Sequence, residues 1–490
     1  MKSAYQSTGF EEGGDCLSCQ GVVGDLGNQV GSREEQPVGT RKEADTGVPI
    51  GETMYVAHHR YDCRTKEAKR MVRRILMVSL VMALCASFCT GIVAAKKTTI
   101  QFWSNLPSEA VGVWWEEQFD LFESKYPDFE VKAMFMDGDQ LKAKLEAALA
   151  AGTEPDMFFT IPGARPEVYA RAGLLLPLDD ILDTEAFSPG AIKACTYKGK
   201  VSLMPLTVNP CVIWFNREIY DGLGVSLPHQ PTIDEFLSIC GKAESGGYIP
   251  IALAGLSNWP SLFYYWAFNT RLGGSEAIKN VATGKGSFLE PSFIRAGEYA
   301  QELAEADVFP VGFNGIDYQS ANGLFANEDA GMIYMGNWLM GMIGSQAKAD
   351  FQLDYIRFPS LPDGRPDAET AIMGGMSAIG VSAKTENADA VGKFLNLFAG
   401  DLERARKYVD DTGMLSPHKG LEAATPLTLP YRLIQELEQS SDVFNWWDHI
   451  VPPPVAERLL NLAQPLFGLE ITPEQFAQTM EEAAAQHIAR

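Results

Sequence analysis

Two hydrophobic periods alternate along residues 98–160. Stretches in which apolar and polar positions alternate are typical of strands, whereas apolar positions spaced three and four residues apart are typical of helices. These patterns predict strands over 98–103, 129–136 and 157–159 and helices over 111–125 and 139–151. Strand, helix, strand, helix, strand is the order of a parallel sheet covered by helices, so we predict an α/β fold.

The same two patterns continue, with variation, to the C-terminus. Asn209-Pro210 separates two apolar stretches, which we predict as two strands over 198–207 and 211–215. We also predict strands over 249–254, 330–335, 351–358 and 376–381, helices from Thr232 and over 261–272, 291–306 and 387–398, and a mainly helical C-terminal part interrupted at 452–454. So long a chain exceeds one simple core, which indicates two lobes.

A third pattern lies upstream, where an apolar run over 75–89 follows a start at 71–74 that contains two arginines. The small residues 93–95 come next, and two lysines follow them. A basic start, a short apolar run and small residues at the cut are typical of a secretory signal peptide, which we predict over 71–95 with cleavage after Ala95. A membrane anchor is the alternative, because 75–95 is close to the roughly 20 residues that a spanning helix needs.

Residues 1–70 show neither period and are rich in Gly, Glu, Gln, Ser and Thr. Because a signal peptide should open its chain, we interpret Met71 as the start of translation and 1–70 as a mis-assigned leader. A disordered arm is the alternative. Cys16 and Cys19 form a single C-x-x-C pair, which is a weak zinc signal, and we predict no metal site.

The charge is distributed unevenly. Up to Ala95 there are 11 basic and 11 acidic residues, so the whole net charge of −23 lies in residues 96–490. Such a surface repels nucleic acid and anionic lipid, which excludes both as expected partners. It suits an exported protein that binds neutral or cationic small molecules.

Three cysteines follow Ala95, namely Cys195, Cys211 and Cys240. An odd and small number does not make a disulfide scaffold. Cys195 and Cys211 could pair if their segments formed a hairpin, but buried free thiols are the favoured state.

Seven segments between residues 100 and 338 follow one another in a recognisable order. They are 100–103 (IQFW), 122–127 (FESKYP) with 129–131 (FEV), 151–156 (AGTEPD), 176–179 (LPLD), 197–205 with 214–224, 232–236 (TIDEF), and 325–332 (FANEDAGM) with 336–338 (GNW). In this order they resemble the extracellular solute-binding proteins of ABC importers, in the carbohydrate-binding group that includes maltose-binding protein. The last segment departs from that pattern, because Glu328-Asp329 stand where Gly and Lys are usual.

The resemblance implies a two-lobed α/β fold of the periplasmic-binding-protein type (type II-like), with an interlobe ligand cleft. The family layout implies that lobe one comprises 98–207 and 376–424, that lobe two comprises 211–370 and 425–490, and that hinges lie near 207–210 and 371–375. It further implies a periplasmic receptor that captures a sugar or oligosaccharide and delivers it to the membrane permease subunits of an ABC importer. We expect a monomer that is not an enzyme and holds no cofactor.

A sugar presents an apolar C–H face and a rim of hydroxyls, which aromatic rings and small polar groups recognise. The cleft between α/β lobes lies at the carboxyl ends of the strands. The candidate ligand-binding residues therefore flank predicted strands: Ser104, Asn105, Thr160, Arg165, Asn209, Trp259, Trp338, Gly375, Trp446 and Trp447. Core packing is the alternative for each tryptophan, and we expect one of the pair Trp446 and Trp447 to face the cleft. Arg165 would pair with an acidic sugar or cap a helix.

Other classes of function have weaker signals. A secreted glycosidase needs two carboxylates about 5–10 Å apart, and no local motif marks such a pair. The chain lacks G-x-S-x-G, H-E-x-x-H and P-loop motifs. Tyr264-Tyr265 resembles the paired tyrosines of ferric-ion-binding proteins, although core packing is favoured there. The acidity also leaves a polyamine open as the ligand.

Overall fold

The computed structural model describes residues 70–77, 97–105, 108–421 and 428–489. The chain divides into a unit Met1–Val93 and a unit Ala94–Arg490. Residues 70–77 are helical. The leader, the Cys16/Cys19 pair and the rest of the predicted signal peptide lie outside the described residues. Within the described ranges, no helix is both long and apolar enough to cross a membrane.

A mixed sheet organises the second unit. The strands are β1 (Thr98–Asn105), β2 (Phe129–Met136), β3 (Met157–Thr160), β4 (Thr196–Tyr197), β5 (Lys200–Val201), β6 (Leu203–Asn216), β7 (Ile249–Ala252), β8 (Ala330–Gly336), β9 (Leu353–Ile356), β10 (Ile372–Val381) and β11 (Val443–Phe444). Of these, β4 and β5 form a separate hairpin, and the others belong to the mixed sheet. The order is β2-β1-β3-β10-β6-β8-β7, with β9 on β6 and β11 on β10.

Two parallel groups of strands are joined by two long antiparallel ones. β1 runs parallel to β2 and β3, and β7 runs parallel to β8. Between these groups, β10 pairs with β6 from Gly380 opposite Leu203 to Met373 opposite Cys211. Each parallel group therefore connects to the other mainly through the paired backbones of β6 and β10.

Helices alternate with the strands, as the periodicity predicts. The α-helices of the second unit are Glu109–Lys125, Gly138–Ala151, Ala164–Arg171, Pro189–Ala194, Arg217–Gly222, Ile233–Ser245, Trp259–Gly273, Glu276–Ala282, Pro291–Glu305, Tyr318–Ala326, Leu339–Gln346, Ala388–Ala399, Leu402–Thr412, Leu429–Gln439, Trp447–Ile450, Pro453–Asn461, Ala463–Phe467 and Pro473–His487. Short 3₁₀ turns lie at Thr184–Ala186, Gly255–Ser257, Phe313–Gly315 and Pro366–Ala368. The prolines at 452–454 start a helix, which tolerates proline in its first turn.

Aromatic side chains dominate the core on both sides of the central strands. Trp115 on the first helix stacks against Phe119 and Phe394, which brings the helix after β10 onto the helix after β1. On the other side, Trp266 stacks against Trp447 at a centroid distance of 6.2 Å. Residues far apart in the sequence thus complete one continuous core.

The sequence-based assignment is wrong at Asn209-Pro210, where β6 runs without a break from Leu203 to Asn216. Proline lacks the N–H that a ladder needs, but β8 pairs with β6 only from Cys211 onward. Pro210 therefore lies at the end of the β6–β8 ladder, where its missing N–H disrupts little of the strand pairing. The prediction of free thiols is confirmed, because Cys195, Cys211 and Cys240 are all free and buried.

Candidate functional site

Aromatic residues from four segments meet near the carboxyl ends of β7 and β8. We call Trp259, Phe263, Tyr318, Trp338 and Trp446 the aromatic cluster. The ring of Trp259 lies 5.1 Å from that of Tyr318, and the rings of Trp338 and Trp446 lie 5.8 Å apart, centroid to centroid. The indole N–H of Trp338 donates to the hydroxyl of Tyr318 over 2.8 Å. This hydrogen bond and these ring contacts fix the orientation of Trp338.

Two glycines support two of these rings. A Cβ on Gly336 would lie 2.0 Å from the ring of Trp338, and one on Gly375 would lie 2.1 Å from the ring of Trp446. Either side chain would collide with an indole, so glycine is required for the rings to lie directly against the backbone. Gly336 ends β8 and Gly375 lies within β10, so the backbones of these two strands position the rings.

Asn209 lies in the ladder directly opposite Gly375. Its side chain is 1% exposed, and its amide nitrogen donates to Ser377 over 3.0 Å. Within the described part of the chain, its amide oxygen accepts no hydrogen bond. Asn209 therefore has one unused acceptor on the strand that links the two parallel groups.

The other parallel group contributes polar groups at its own strand ends. Ser104 is buried and Asn105 is partly buried at the end of β1, while Thr160 ends β3. Asp137 follows β2 and accepts a hydrogen bond from the backbone of Asp139 at the start of the next helix. These ends are neighbours because β1 pairs with both β2 and β3.

The segments that follow β1 and β8 approach each other, because a Cβ on Gly341 would lie 2.7 Å from the hydroxyl oxygen of Ser108. Burial raises the pKa of Tyr318 to about 12, and the negative charge of Asp137 adds to the increase. Asp137 is therefore close enough to act electrostatically on the aromatic cluster. Tyr318, Phe263 and Asp137 were missed in the sequence analysis. A search of every strand end would have found Asp137, whereas nothing local singles out the two aromatic residues.

Arg165 is paired within the chain, and its expected contact with an acidic sugar stays a prediction. Arg165 pairs with Glu146, and its Nη2 lies 3.6 Å from Glu457. Two carboxylates of this chain therefore occupy the guanidinium group that was expected to meet an acidic sugar. Arg165 is also the second residue of its helix, where a cation does not cap the free N–H groups.

The two C-terminal tryptophans have different environments. Trp447 is completely buried, and its ring packs against Tyr265, Trp266 and Phe293. Its assignment as a ligand-binding residue is wrong, because no face of the ring is accessible. Trp446 is 6% exposed and belongs to the aromatic cluster. The neighbouring Tyr265 is likewise a core residue.

Two parallel groups of strands are joined by β6 and β10, and they meet at aromatic and polar strand ends. This arrangement defines the two-lobed fold of solute-binding proteins. Residues 107–401 match the family of bacterial extracellular solute-binding proteins, and the chain belongs to this family. Members of this family act outside the cytoplasm, as their name states. Among the described residues, no group of three or more His, Cys, Asp and Glu side chains could hold a metal ion.

Individual relatives extend over most of the chain. An uncharacterized ABC transporter extracellular-binding protein of Pyrococcus horikoshii is 25% identical and covers 76% of this chain and 86% of its own length. A probable sugar-binding periplasmic protein of Mesorhizobium japonicum is 26% identical, with 58% of this chain and 69% of its own length covered. A structure from a study of xylan utilization by Caldanaerobius polysaccharolyticus superposes with a TM-score of 0.72 at 26% identity, over 78% of this chain and 99% of its own. The relatives that carry functional names are named as binding proteins.

Proposed function

We propose that this protein is the solute-binding component of an ABC importer, which captures a sugar or oligosaccharide between its lobes and delivers it to the membrane permease subunits. The observation that carries the proposal is the aromatic cluster, held at the strand ends of one lobe and facing the polar strand ends of the other. Family membership supports the transport role, and the sugar-binding and xylan-related relatives support a carbohydrate ligand.

The cluster has the chemistry that sugar recognition requires. Partly buried indole rings such as Trp259 and Trp338 offer flat apolar faces for the C–H side of a pyranose. The unused acceptor of Asn209 and the polar side chains of Ser104, Asn105 and Thr160 are the groups that would meet its hydroxyls. Gly375 acts indirectly, because it provides the surface on which Trp446 lies.

We propose that binding closes the lobes about β6 and β10. Lobe one would comprise 98–207 and 376–424, and lobe two 211–370 and 425–490, with hinges near 207–210 and 371–375. A few residues in the paired strands would then absorb the rotation. No bond in the ligand is broken, since the protein carries the solute and the partner subunits use the ATP.

The location and the oligomeric state belong to the same proposal. A signal peptide over 71–95 would export the chain and leave residues 96–490 as a monomeric receptor in the periplasm. The acidic mature part suits an uncharged solute, since it repels anionic ones.

Thermal unfolding tests the proposal directly. The purified protein is heated alone and with glucose, galactose, maltotriose, xylotriose, raffinose, spermidine or ferric ion. A ligand present at 100 times its dissociation constant adds about 2.7 kcal/mol to the free energy of unfolding. This raises the melting temperature by a few degrees. Stabilisation by one class of sugar supports the proposal, whereas stabilisation by spermidine or iron alone would keep the fold and overturn the ligand.

A further inference from the structure

The carboxylate of Glu457 links its own helix to two others from the opposite side of the proposed cleft. The Nζ atom of Lys142 lies 2.7 Å from Oε1 of Glu457, and Nη2 of Arg165 lies 3.6 Å from the same oxygen. Arg165 is only 17% exposed in its side chain and is also paired with Glu146. Glu457 is therefore held by two cations at once.

The cations and the carboxylate belong to different lobes. Lys142 lies in a helix that packs against β1, and Arg165 lies in the helix that follows β3. Glu457 lies in helix Pro453–Asn461, which packs against the C-terminal helix Pro473–His487 on the side of the aromatic cluster. The sequence separation of more than 290 residues between the partners also shows that no local turn creates this contact.

The backbones of the two lobes meet beside this ion cluster. A Cβ on Gly163 would lie 2.1 Å from the carbonyl oxygen of His449, so only glycine allows this approach. The amide of Asn445 donates to the carbonyl of Pro162 over 3.4 Å. The ring of His449 is 6.0 Å from that of Trp446, which places the contact next to the aromatic cluster.

Charges of like sign also approach each other here. Desolvation raises the pKa of Asp139, and the charges of Asp137, Asp448 and Glu457 add to the increase. Burial opposes the ionisation of Glu457, yet its pKa is lowered because Lys142 and Arg165 stabilise the charged form. The two cations therefore offset a repulsion between acidic groups that would otherwise oppose the approach of the lobes.

We infer that Lys142, Arg165 and Glu457 form the closing contact of this receptor and set its affinity for the ligand without touching the ligand. The inference rests on the proposed function. Closure and binding are linked equilibria, so a contact made only when the lobes meet contributes to the apparent affinity. Arg165 is thus a positioning residue for closure.

Charge exchange between the lobes tests the inference. Lys142→Glu, Glu457→Lys, the double exchange and Glu457→Gln are titrated by calorimetry with maltotriose and with xylotriose. An exposed ion pair contributes little to stability, but Glu457 has two partners, so Glu457→Gln should raise the dissociation constant about three- to tenfold. Each single reversal should weaken binding further. The double exchange should recover part of the loss, because it restores the pair between positions 142 and 457 but places a lysine beside Arg165. The differences should shrink in 0.5 M salt because mobile ions screen the partly exposed partners.

Glu167→Gln is the matched control. Glu167 lies in the same helix as Arg165 and pairs within that helix with Arg171, so it makes the same change of charge without crossing the cleft. The dissociation constant of the Glu167→Gln variant should equal that of the unaltered protein. Melting temperatures without ligand are compared for all variants, because a merely structural role would lower them and leave the affinity unchanged.

Small-angle scattering of the ligand-free protein provides a reading that needs no sugar. Open and closed forms are in equilibrium before the ligand binds, and the ligand shifts that equilibrium toward the closed form. We therefore expect Glu457→Gln to shift the ligand-free population toward the open form and to increase the radius of gyration at low salt relative to the unaltered protein. Equal radii together with equal affinities, or a double exchange that recovers nothing, would overturn the inference. If the unaltered protein binds neither sugar nor any other ligand of the thermal panel, the proposed function fails, and the scattering comparison alone decides the closing contact.

Discussion

At the scale of single residues, the site depends on ring positions that other residues fix. Trp338 is oriented by the hydroxyl of Tyr318 and by the absence of a side chain at Gly336. The sequence analysis selected Trp338, Trp259, Asn209 and Gly375 because they flank strands, and the structure brings all four together with Trp446. It could not separate Trp446 from Trp447, since adjacent residues differ in burial only through distant partners.

Removing the Trp338 ring should weaken sugar binding and leave the protein folded. We expect Trp338→Ala to cost about 2–3 kcal/mol of binding free energy, because the apolar face for the sugar is lost. Trp338→Phe should retain part of the binding free energy, since a ring remains while the hydrogen bond to Tyr318 is lost. Calorimetry with the sugar that stabilises the protein in the thermal panel measures the affinity of both variants. Trp114→Phe, at a buried position outside the aromatic cluster, is the control for destabilisation alone. An unaltered affinity in Trp338→Ala would remove Trp338 from the site.

Adding one methyl group at Gly375 should displace Trp446. The new Cβ would lie 2.1 Å from the indole, so the ring must move, and overpacking of this kind costs about 1–3 kcal/mol. We expect Gly375→Ala to lower both the melting temperature and the sugar affinity. Gly344→Ala is the matched control, because nothing lies within 4 Å of its Cβ position. Unchanged tryptophan fluorescence in Gly375→Ala would show that the ring does not depend on this glycine.

At the scale of elements, local signals located most helices and strands. Thr232 starts helix Ile233–Ser245 with a reciprocal pair of hydrogen bonds, in which Thr232 accepts from the Glu235 backbone and Glu235 accepts from that of Thr232. Such caps are set by neighbouring residues, so they are visible in the sequence. The continuity of β6 through Asn209-Pro210 was not visible, because the partner strands β8 and β10 decide which backbone groups need a hydrogen bond.

Removing that cap should affect stability and leave binding unchanged. We expect Thr232→Ala to lower the free energy of unfolding by about 1 kcal/mol, since the Glu235 N–H loses its acceptor. Urea unfolding followed by circular dichroism measures the change. Thr283→Ala, where the hydroxyl donates to a carbonyl at an exposed helix end, should cost less. A change in sugar affinity in Thr232→Ala would contradict the expectation that this cap affects stability alone.

At the scale of the whole molecule, the ligand should reduce hydrogen exchange in both lobes at once. We expect a bound sugar to slow amide exchange near Thr160–Arg165 in one lobe and near Trp338 and Trp446 in the other, because closure buries both surfaces. Hydrogen exchange with mass spectrometry, with and without the sugar, measures this. Helix Ala388–Ala399, which packs against helices Glu109–Lys125 and Leu402–Thr412, is the internal control. Protection confined to one lobe would contradict binding between them.

The sequence by itself determined the alternation of strands and helices, the free cysteines and the motifs that carry the family resemblance. Hydrophobic period, capping residues and motif order are properties of neighbours along the chain, so they can be recognised without knowledge of the fold. Only the tertiary structure decided that Trp447 is core, that β6 is continuous and that Arg165 meets Glu457. Each of these depends on residues far apart in sequence, and the packing of two lobes, not a local preference, brings them into contact.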